Sequence, residues 1–149
     1  MSADANARFD RRLYDEIWSR GQIAALPELV APHVVFDGEP LGLAGYTNWV
    51  TGFRSAFPNL DVRIERQVAD EQVVVSRLVW QGTNTGEILP HLLPGWSGPA
   101  IAPTGRAVAW TSMTMHRVVD GRLAEGWLNA DILGLLQQLG VLPPPAAGG

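Results

Sequence analysis

The residues best suited to chemistry lie near the C-terminal end of the chain. Asp131 stands where the stretch "EGWLNADILGLLQQLG", residues 125–140, changes from the alternation of a strand to the spacing of a helix. Aspartate is a favoured helix cap, and a carboxylate can also transfer protons. The position therefore predicts a helix cap, a functional carboxylate, or both at once.

A predicted hairpin decides which side chains accompany Asp131. The pair Asp120-Gly121 indicates a two-residue type I′ turn between strands over 106–119 and 122–130. Such a turn sets the register, beginning with Val119 opposite Arg122. The first face is then uniformly apolar and carries Met113, Met115, Ala124, Gly126, Leu128 and Ala130. The second face mixes large rings with polar groups and carries Trp110, Ser112, Thr114, His116, Glu125, Trp127, Asn129 and Asp131.

This second face has two interpretations. Antiparallel sheets often expose one polar side to water, and that is the ordinary meaning of polar alternation. Tryptophans among hydroxyl, amide, imidazole and carboxyl groups are instead typical of the wall of a ligand cavity. We favour the cavity wall, which makes the residues of this face candidates for substrate binding.

The remaining chain predicts the elements that would position this wall. Helical spacing of apolar residues predicts helices over 7–21, from Pro27, over 45–58 and over 132–140, while alternation and apolar runs predict strands over 33–37, 60–69 and 73–82. Tyr14 and Trp49 lie on the aromatic stripes of the first and third helices and are expected to reach the ligand. Residues 83–105 are rich in proline and glycine, which predicts a lid or binding loop. The element order is that of an α+β protein.

Composition excludes several classes of function. The 149 residues carry a formal net charge of −4, and the eleven basic residues are arginines without a cluster, which argues against a nucleic-acid partner. Cysteine is absent, and three scattered histidines do not suggest a metal site. The polar start of the chain and the lack of a long apolar run predict a cytoplasmic protein without a membrane partner.

Four ordered stretches carry a resemblance to a known family: "FRSAFPNLDVRIE", "GTNTG", "APTGRAVAW" and "HRVVDGRLAEGWLNADILGLLQQLG". Together they resemble the SnoaL-like polyketide cyclases of the nuclear transport factor 2-like superfamily, over about residues 9–141. The resemblance implies an α+β cone, in which a curved antiparallel sheet wraps over about three to four helices around a deep internal cavity. It also implies a homodimer paired through sheet faces. We expect a single domain over 1–142 and a disordered tail over 143–149.

The resemblance further implies roles for single residues. Asp131 matches the general acid/base of the ring-closing members, and His116 matches a cavity histidine. The implied activity is a cofactor-independent, aldol-type ring closure of a small polyketide-like molecule in secondary metabolism, without metal. His116 or Asn129 would stabilise the developing oxyanion, and Glu125 would set the imidazole tautomer.

Two departures from the family pattern leave alternatives open. Asn84 stands where many relatives have a histidine, so it is expected to bind substrate without transferring protons. The stretch "ILPHLLPGWSGPA" is longer than in relatives, which implies a different substrate shape. The alternatives are a non-catalytic small-molecule binding protein, a cofactor-free hydroxylase or an epoxide-opening member. A purely structural domain of this fold would instead fill the cavity with its own side chains.

Overall fold

The computed structural model describes residues 1–147, which form four α-helices and one curved, unclosed six-stranded sheet. The helices are α1 (Ala3–Arg12), α2 (Leu26–Leu29), α3 (Gly42–Ala56) and α4 (Ile132–Gln138). The strands are β1 (Val30–Phe36), β2 (Glu39–Pro40), β3 (Asp61–Ala69), β4 (Val73–Thr83), β5 (Ala107–Val119) and β6 (Arg122–Ala130). The predicted α+β class, with a curved sheet over helices, is confirmed.

The strand order across the sheet is β2-β1-β6-β5-β4-β3. The pairs β1–β2, β3–β4, β4–β5 and β5–β6 are antiparallel, whereas β1 and β6 run parallel. The expectation of a wholly antiparallel sheet is therefore wrong at this one pair. No hairpin joins β1 to β6, so no turn imposes an antiparallel direction on them.

The first helix begins with a cap and ends in an unusual turn. The Ser2 hydroxyl accepts a hydrogen bond of 3.1 Å from the Ala5 amide, which satisfies one free amide of the first turn. After α1 the chain continues as a π-helical segment, Leu13–Ser19, until Gly21 at φ +68° ends it. The wider turn places Tyr14 and Trp18 on the buried side together with Leu13 and Ile17.

The space between sheet and helices is filled by aromatic rings. Trp18 lies at its centre, with ring centroids 5.2 Å from both Trp49 and Trp80 and 6.0 Å from Tyr46. Trp80 stacks on Trp110 with centroids 5.9 Å apart and planes 11° from parallel. The structure leaves spaces beside these rings, one of them lined by Trp49, Trp80 and Trp110. The deep internal cavity that the family resemblance implies stays a prediction.

A β-bulge changes the predicted register of the last hairpin. Val119 pairs with Arg122 as predicted, but Val118 pairs with Leu123 and Arg117 with Glu125, so Ala124 is an extra residue. His116 consequently lies opposite Gly126 and not opposite Glu125. Because side chains alternate along a strand, this single extra residue turns the rest of β6 over.

The prediction of the two hairpin faces is therefore confirmed for β5 and wrong for β6. The side chains that were predicted to share the inner face of β5 do point inward, since Trp110, Ser112, Thr114 and His116 are all buried. Those of β6 are exchanged: the residues paired with this inward row are Gly126, Leu128 and Ala130, whereas Glu125, Trp127 and Asn129 pair with the outward Arg117, Met115 and Met113.

The long loop between β4 and β5 is ordered over α3. Ile88 and Ile101 bridge its two arms, and a short 3₁₀ turn, Pro90–Leu92, forms its tip. Leu92 and Leu93 of this tip are buried in the interior. In the predicted tail, residues 143–147 are exposed without regular structure, and residues 148–149 lie outside the described part.

Within residues 1–147, the structure contains no helix that is both long and apolar enough to cross a membrane.

Candidate functional site

A buried aspartate and histidine form the centre of the candidate site. Nδ1 of His116 lies 2.7 Å from Oδ1 of Asp10, and the two side chains are 1% and 0% exposed. Asp10 comes from α1 and His116 from β5, so the pair joins the helix layer to the sheet. A carboxylate can only accept a hydrogen bond, so the geometry assigns the donor of this bond to Nδ1. In the tautomer that carries its only proton on Nδ1, Nε2 is an acceptor.

A chain of hydrogen bonds orients this pair from the side of the sheet. Ser76 on β4 donates a bond of 2.6 Å to Oδ2 of Asp10. Gln67 on β3 donates to the Ser76 oxygen at 3.2 Å and accepts from the exposed Arg11 at 2.9 Å. Both oxygens of Asp10 are thus engaged, which prevents the carboxylate from turning away from His116.

Aromatic rings enclose the imidazole. Tyr14 stacks on His116 with ring centroids 5.9 Å apart, and Phe36 meets it edge to face at 6.2 Å. The Tyr14 hydroxyl donates a bond of 3.0 Å to Thr114. Burial raises the pKa of Tyr14 well above its ordinary value, and the nearby charge of Asp10 raises it further. Tyr14 therefore remains a neutral hydrogen-bond donor.

Beyond Thr114, the row of inward residues leads to a narrow space that we call the inner slot. Its volume is about 20 Å³, which is room for about one water molecule. Within the described residues, Ser112 supplies the one hydroxyl among mostly apolar walls, and it accepts a 2.7 Å hydrogen bond from Trp80 Nε1. The lining residues are Trp49, Phe53, Trp80, Pro94, Trp110, Ser112, Leu128, Ala130 and Ile132.

A second space, which we call the outer cleft, lies on the other side of Trp49 and Pro94. Its volume is about 230 Å³, and it is lined by Phe36, Asp37, Leu41, Gly45, Trp49, His91 and Pro94. The Trp49 indole donates a 3.2 Å hydrogen bond to the Leu92 carbonyl, which fastens the loop tip to α3. Trp49 and Pro94 line both spaces.

Asn84 has a different position from the one expected of a substrate-binding residue. Its side chain is fully buried, donates to the carbonyls of Ala56 and Gly86, and accepts from the amide and hydroxyl of Thr104. All of its hydrogen-bonding groups are therefore used within the protein. Asn84 fastens the two ends of the long loop together, and its expected contact with substrate is not supported.

Asp131 also lies away from the inward row. Its side chain is exposed and accepts a 2.9 Å hydrogen bond from the Gly134 amide, as the cap of α4. Glu125 faces outward 3.4 Å from Arg117, and Trp127 and Asn129 lie on the same outer side. The prediction that these four side chains share one face of the hairpin with His116 is wrong, because it depended on a register without the bulge.

Asp10, Ser76 and Phe36 were not among the site residues predicted from the sequence. A signal existed for the first two. Asp10 falls on the apolar stripe of the first helix, between Phe9 and Leu13, where a carboxylate needs a buried partner. Ser76 interrupts the apolar run of β4 on its inward side. Phe36 carried no such signal, because a phenylalanine at the end of a strand is ordinary core.

Among residues 1–147, histidine, aspartate and glutamate side chains do not gather in groups of three that could hold a metal ion.

Comparisons with known proteins identify one family. The model of the SnoaL-like polyketide cyclase family matches residues 10–139. A search among curated proteins finds no match.

Several solved structures have the same fold. AclR, a candidate hydroxylase from Streptomyces galilaeus, is 25% identical with a TM-score of 0.78, covering 95% of this chain and 85% of its own. IdmH, a candidate polyketide cyclase from Streptomyces antibioticus, is 27% identical in sequence and superposes with a TM-score of 0.72. The match covers 91% of this chain and 98% of the IdmH chain. TsrD from Streptomyces laurentii, at 20% identity, shares the fold with a TM-score of 0.79 over 95% of this chain and 99% of its own.

Proposed function

The chain belongs to the SnoaL-like polyketide cyclase family, and we propose that it closes a ring in a polyketide-like substrate by acid/base catalysis at His116. The observation that carries the proposal is the buried pair of His116 and Asp10 at 2.7 Å. Such a pair resembles the base and orienting carboxylate that many enzymes use for proton transfer. The chemistry needs no metal or organic cofactor, since a conjugated substrate delocalises its own enolate.

The proposed step moves one proton and forms one bond. Nε2 of His116 removes a proton from a methylene group beside a carbonyl, which leaves an enolate and an imidazolium. The enolate carbon attacks a ketone carbon of the same molecule, and a C–C bond forms as the ketone becomes an alkoxide. The imidazolium returns its proton to that alkoxide, so the product is an isomer of the substrate. Asp10 stabilises the imidazolium between these steps.

Hydroxyl groups on the inward row would orient the substrate. Ser112 accepts a hydrogen bond from Trp80, so its own hydrogen is free to donate to a substrate oxygen. A donor whose oxygen already accepts a bond is strengthened by polarisation. Tyr14 and Thr114 hold each other and thereby fix the ring that stacks on His116. Trp49 lines the outer cleft and offers a flat apolar surface to conjugated rings there.

The test uses an aromatic ester with a 1,3-dicarbonyl side chain and a ketone placed for six-membered ring closure. Chromatography and NMR distinguish the cyclic isomer from the open one, although their masses are equal. We expect His116→Gln to lower the rate by about 10²- to 10⁴-fold, the usual contribution of a positioned base. Asp131→Asn keeps the helix cap and is the matched control, with a rate close to that of the unchanged protein.

The reverse result would contradict the proposal. If Asp131→Asn abolished ring closure while His116→Gln retained it, the catalytic role would return to Asp131, as the family resemblance first implied. Circular dichroism and thermal melting of both variants show whether a lost rate reflects lost folding.

A second candidate function is non-catalytic binding of a small apolar molecule. The observation in its favour is the outer cleft, whose volume of about 230 Å³ and largely apolar lining can hold such a molecule, and His116 is not among its lining residues. This function predicts that the aromatic ester binds equally well to the unchanged protein and to His116→Gln, as measured by tryptophan fluorescence. It also predicts that no ring closure occurs above the uncatalysed rate.

The outer face of the sheet supports a homodimer as the working assembly. Met113 and Met115 are 48% and 37% exposed there, and they pair across β5 and β6 with Asn129 and Trp127. Exposed methionines beside a tryptophan on one face of a sheet are typical of a protein interface. Leu128 was predicted to lie on this face, but it lines the inner slot instead.

Light scattering after size-exclusion chromatography tests this assembly. We expect a dimer for the unchanged protein and a monomer for Met115→Asp, because a buried unpaired charge opposes association. Leu133→Asp is the matched control, since Leu133 is 60% exposed and belongs to helix α4 and not to a strand of the sheet. A monomeric unchanged protein would rule out the dimer.

A further inference from the structure

One side chain, Phe36, lies between the outer cleft and His116. Phe36 lines the outer cleft, and its ring centroid is 6.2 Å from that of His116. It is 8% exposed, whereas His116 is 1% exposed. The imidazole is thus one aromatic ring away from a space of about 230 Å³.

The inner slot is a less direct route to the same imidazole. Ser112 lines the slot, and His116 lies four residues further along β5, which is about 13 Å in an extended strand. The hydrogen bond between Tyr14 and Thr114 lies in this interval. A molecule in the inner slot would have to break that bond and displace Tyr14 to reach His116.

Gly126 shows which edge of the imidazole meets Phe36. A Cβ atom at position 126 would lie 2.5 Å from Cε2 of Phe36 and 3.0 Å from Cδ2 of His116. The absence of a side chain therefore lets both rings approach this point on β6. Cδ2 is the ring carbon bonded to Nε2, so the ring of Phe36 lies beside the carbon next to that nitrogen.

We propose that Phe36 controls access to Nε2 of His116, and that the reactive part of the ligand arrives through the outer cleft when this ring moves aside. The proposal rests on the proposed function in taking Nε2 as the atom that must be reached. The ligand part that fits is a neutral, ring-bearing carbonyl group, since Leu41 and Trp49 supply apolar walls. His91 and Asp37 provide polar contacts at the rim.

Diethyl pyrocarbonate, which transfers a carbethoxy group to an unprotonated imidazole nitrogen, measures this access without any turnover. Mass spectrometry of peptides gives the rate at each of the three histidines. His33 and His91 are exposed and serve as internal standards. In the unchanged protein we expect His116 to react much more slowly than His33.

Phe36→Ala should speed the reaction of His116 about tenfold or more, because the reagent no longer has to wait for the Phe36 side chain to move aside. Leu41→Ala is the matched control: it enlarges the same cleft but leaves Phe36 over the imidazole, so the His116 rate should stay within about twofold. Phe36→Leu, which keeps an apolar side chain, serves if the alanine variant does not fold, and should give a smaller increase in the same direction.

Two results would overturn the proposal. One is an unchanged His116 rate in a folded Phe36 variant, and the other is an equal increase in Leu41→Ala. Because the readout is chemical access, it is independent of the ring-closure test. If ring closure persisted in His116→Gln, the proposed function would be refuted, but the measurement of access to His116 would still hold.

Discussion

Two aspartates of this chain have the same side chain and opposite surroundings. Asp10 is fully buried, with one oxygen on His116 and the other on Ser76. Asp131 is exposed at the start of α4, and its bond goes to the Gly134 backbone. Only the first meets an imidazole, the group to which the proposed function assigns proton transfer.

The comparison shows that the environment of a carboxylate decides its use. A buried carboxylate must be paired, so its partners are fixed and its removal disturbs the core. An exposed cap exchanges its bond with water at little cost and serves the local helix. A motif that contains a suitable aspartate is therefore weaker evidence for chemistry than the burial and partners of that aspartate.

The largest expected effect is that of Asp10→Ala. Breaking a buried pair leaves the Ser76 hydroxyl and the His116 ring without their partner, and we expect a loss of about 3–5 kcal/mol in the free energy of unfolding. Urea denaturation followed by tryptophan fluorescence measures it. A loss below about 1 kcal/mol would mean that the pair contributes no more than a surface contact.

Ser76→Ala should have the next largest effect. It removes the second support of Asp10 and should cost about 1–3 kcal/mol, the usual range for an unsatisfied buried group. Arg77→Ala is the control, because Arg77 is the next residue of β4 and faces outward. Equal losses in the two variants would show that Ser76 does not hold the carboxylate.

Asp131→Ala should cost about 1 kcal/mol, which is typical for the loss of a helix cap. Asp131→Ser retains a capping oxygen and should recover most of that loss. The same denaturation experiment compares the three proteins. A cost similar to that of Asp10→Ala would remove the contrast between the two aspartates.

The smallest expected effect near neutral pH is the change in the free energy of unfolding that is linked to the ionisation of Tyr14. This change becomes large only at alkaline pH. Its folded pKa is raised above the ordinary value of 10.0 by burial and by Asp10. The folded protein thus resists ionisation, and the resulting stability is fully present below about pH 10 and is lost as the pH rises toward the folded pKa. Burial raises the pKa of Tyr46, the other tyrosine, in the same direction.

Ultraviolet absorbance of tyrosinate tests this, because the chain has only two tyrosines. We expect little tyrosinate in the folded protein at about pH 11, followed by joint ionisation and unfolding at higher pH. In Tyr14→Phe, stability should fall less steeply with alkaline pH. Ordinary titration near pH 10 in the folded protein would contradict the burial of these hydroxyls.

Much of the architecture could be predicted from the sequence. The α+β order, the Asp120-Gly121 hairpin and the SnoaL-like family are confirmed, because these features are local or run along the whole chain. The inward row of β5 was also predicted, since alternation is a property of one strand. The cap at Asp131 was among the predicted roles and is observed.

The bulge at Ala124 was beyond such prediction. A turn sets the first pair of a hairpin, but one extra residue further along depends on the packing of the whole sheet. Its consequence was large, because Trp127, Asn129 and Glu125 moved to the outer face and Leu128 to the inner one.

The sequence by itself determined the periodicities, the turn, the caps and the family, since each depends on neighbouring residues or on the order of motifs. Only the tertiary structure decided that Asp10 meets His116 across 106 residues of chain. A contact of that kind has no local signature, because it arises when the helix layer and the sheet close over each other. For this protein, the fold was determined by patterns along the chain, and the candidate site by the contact between two layers.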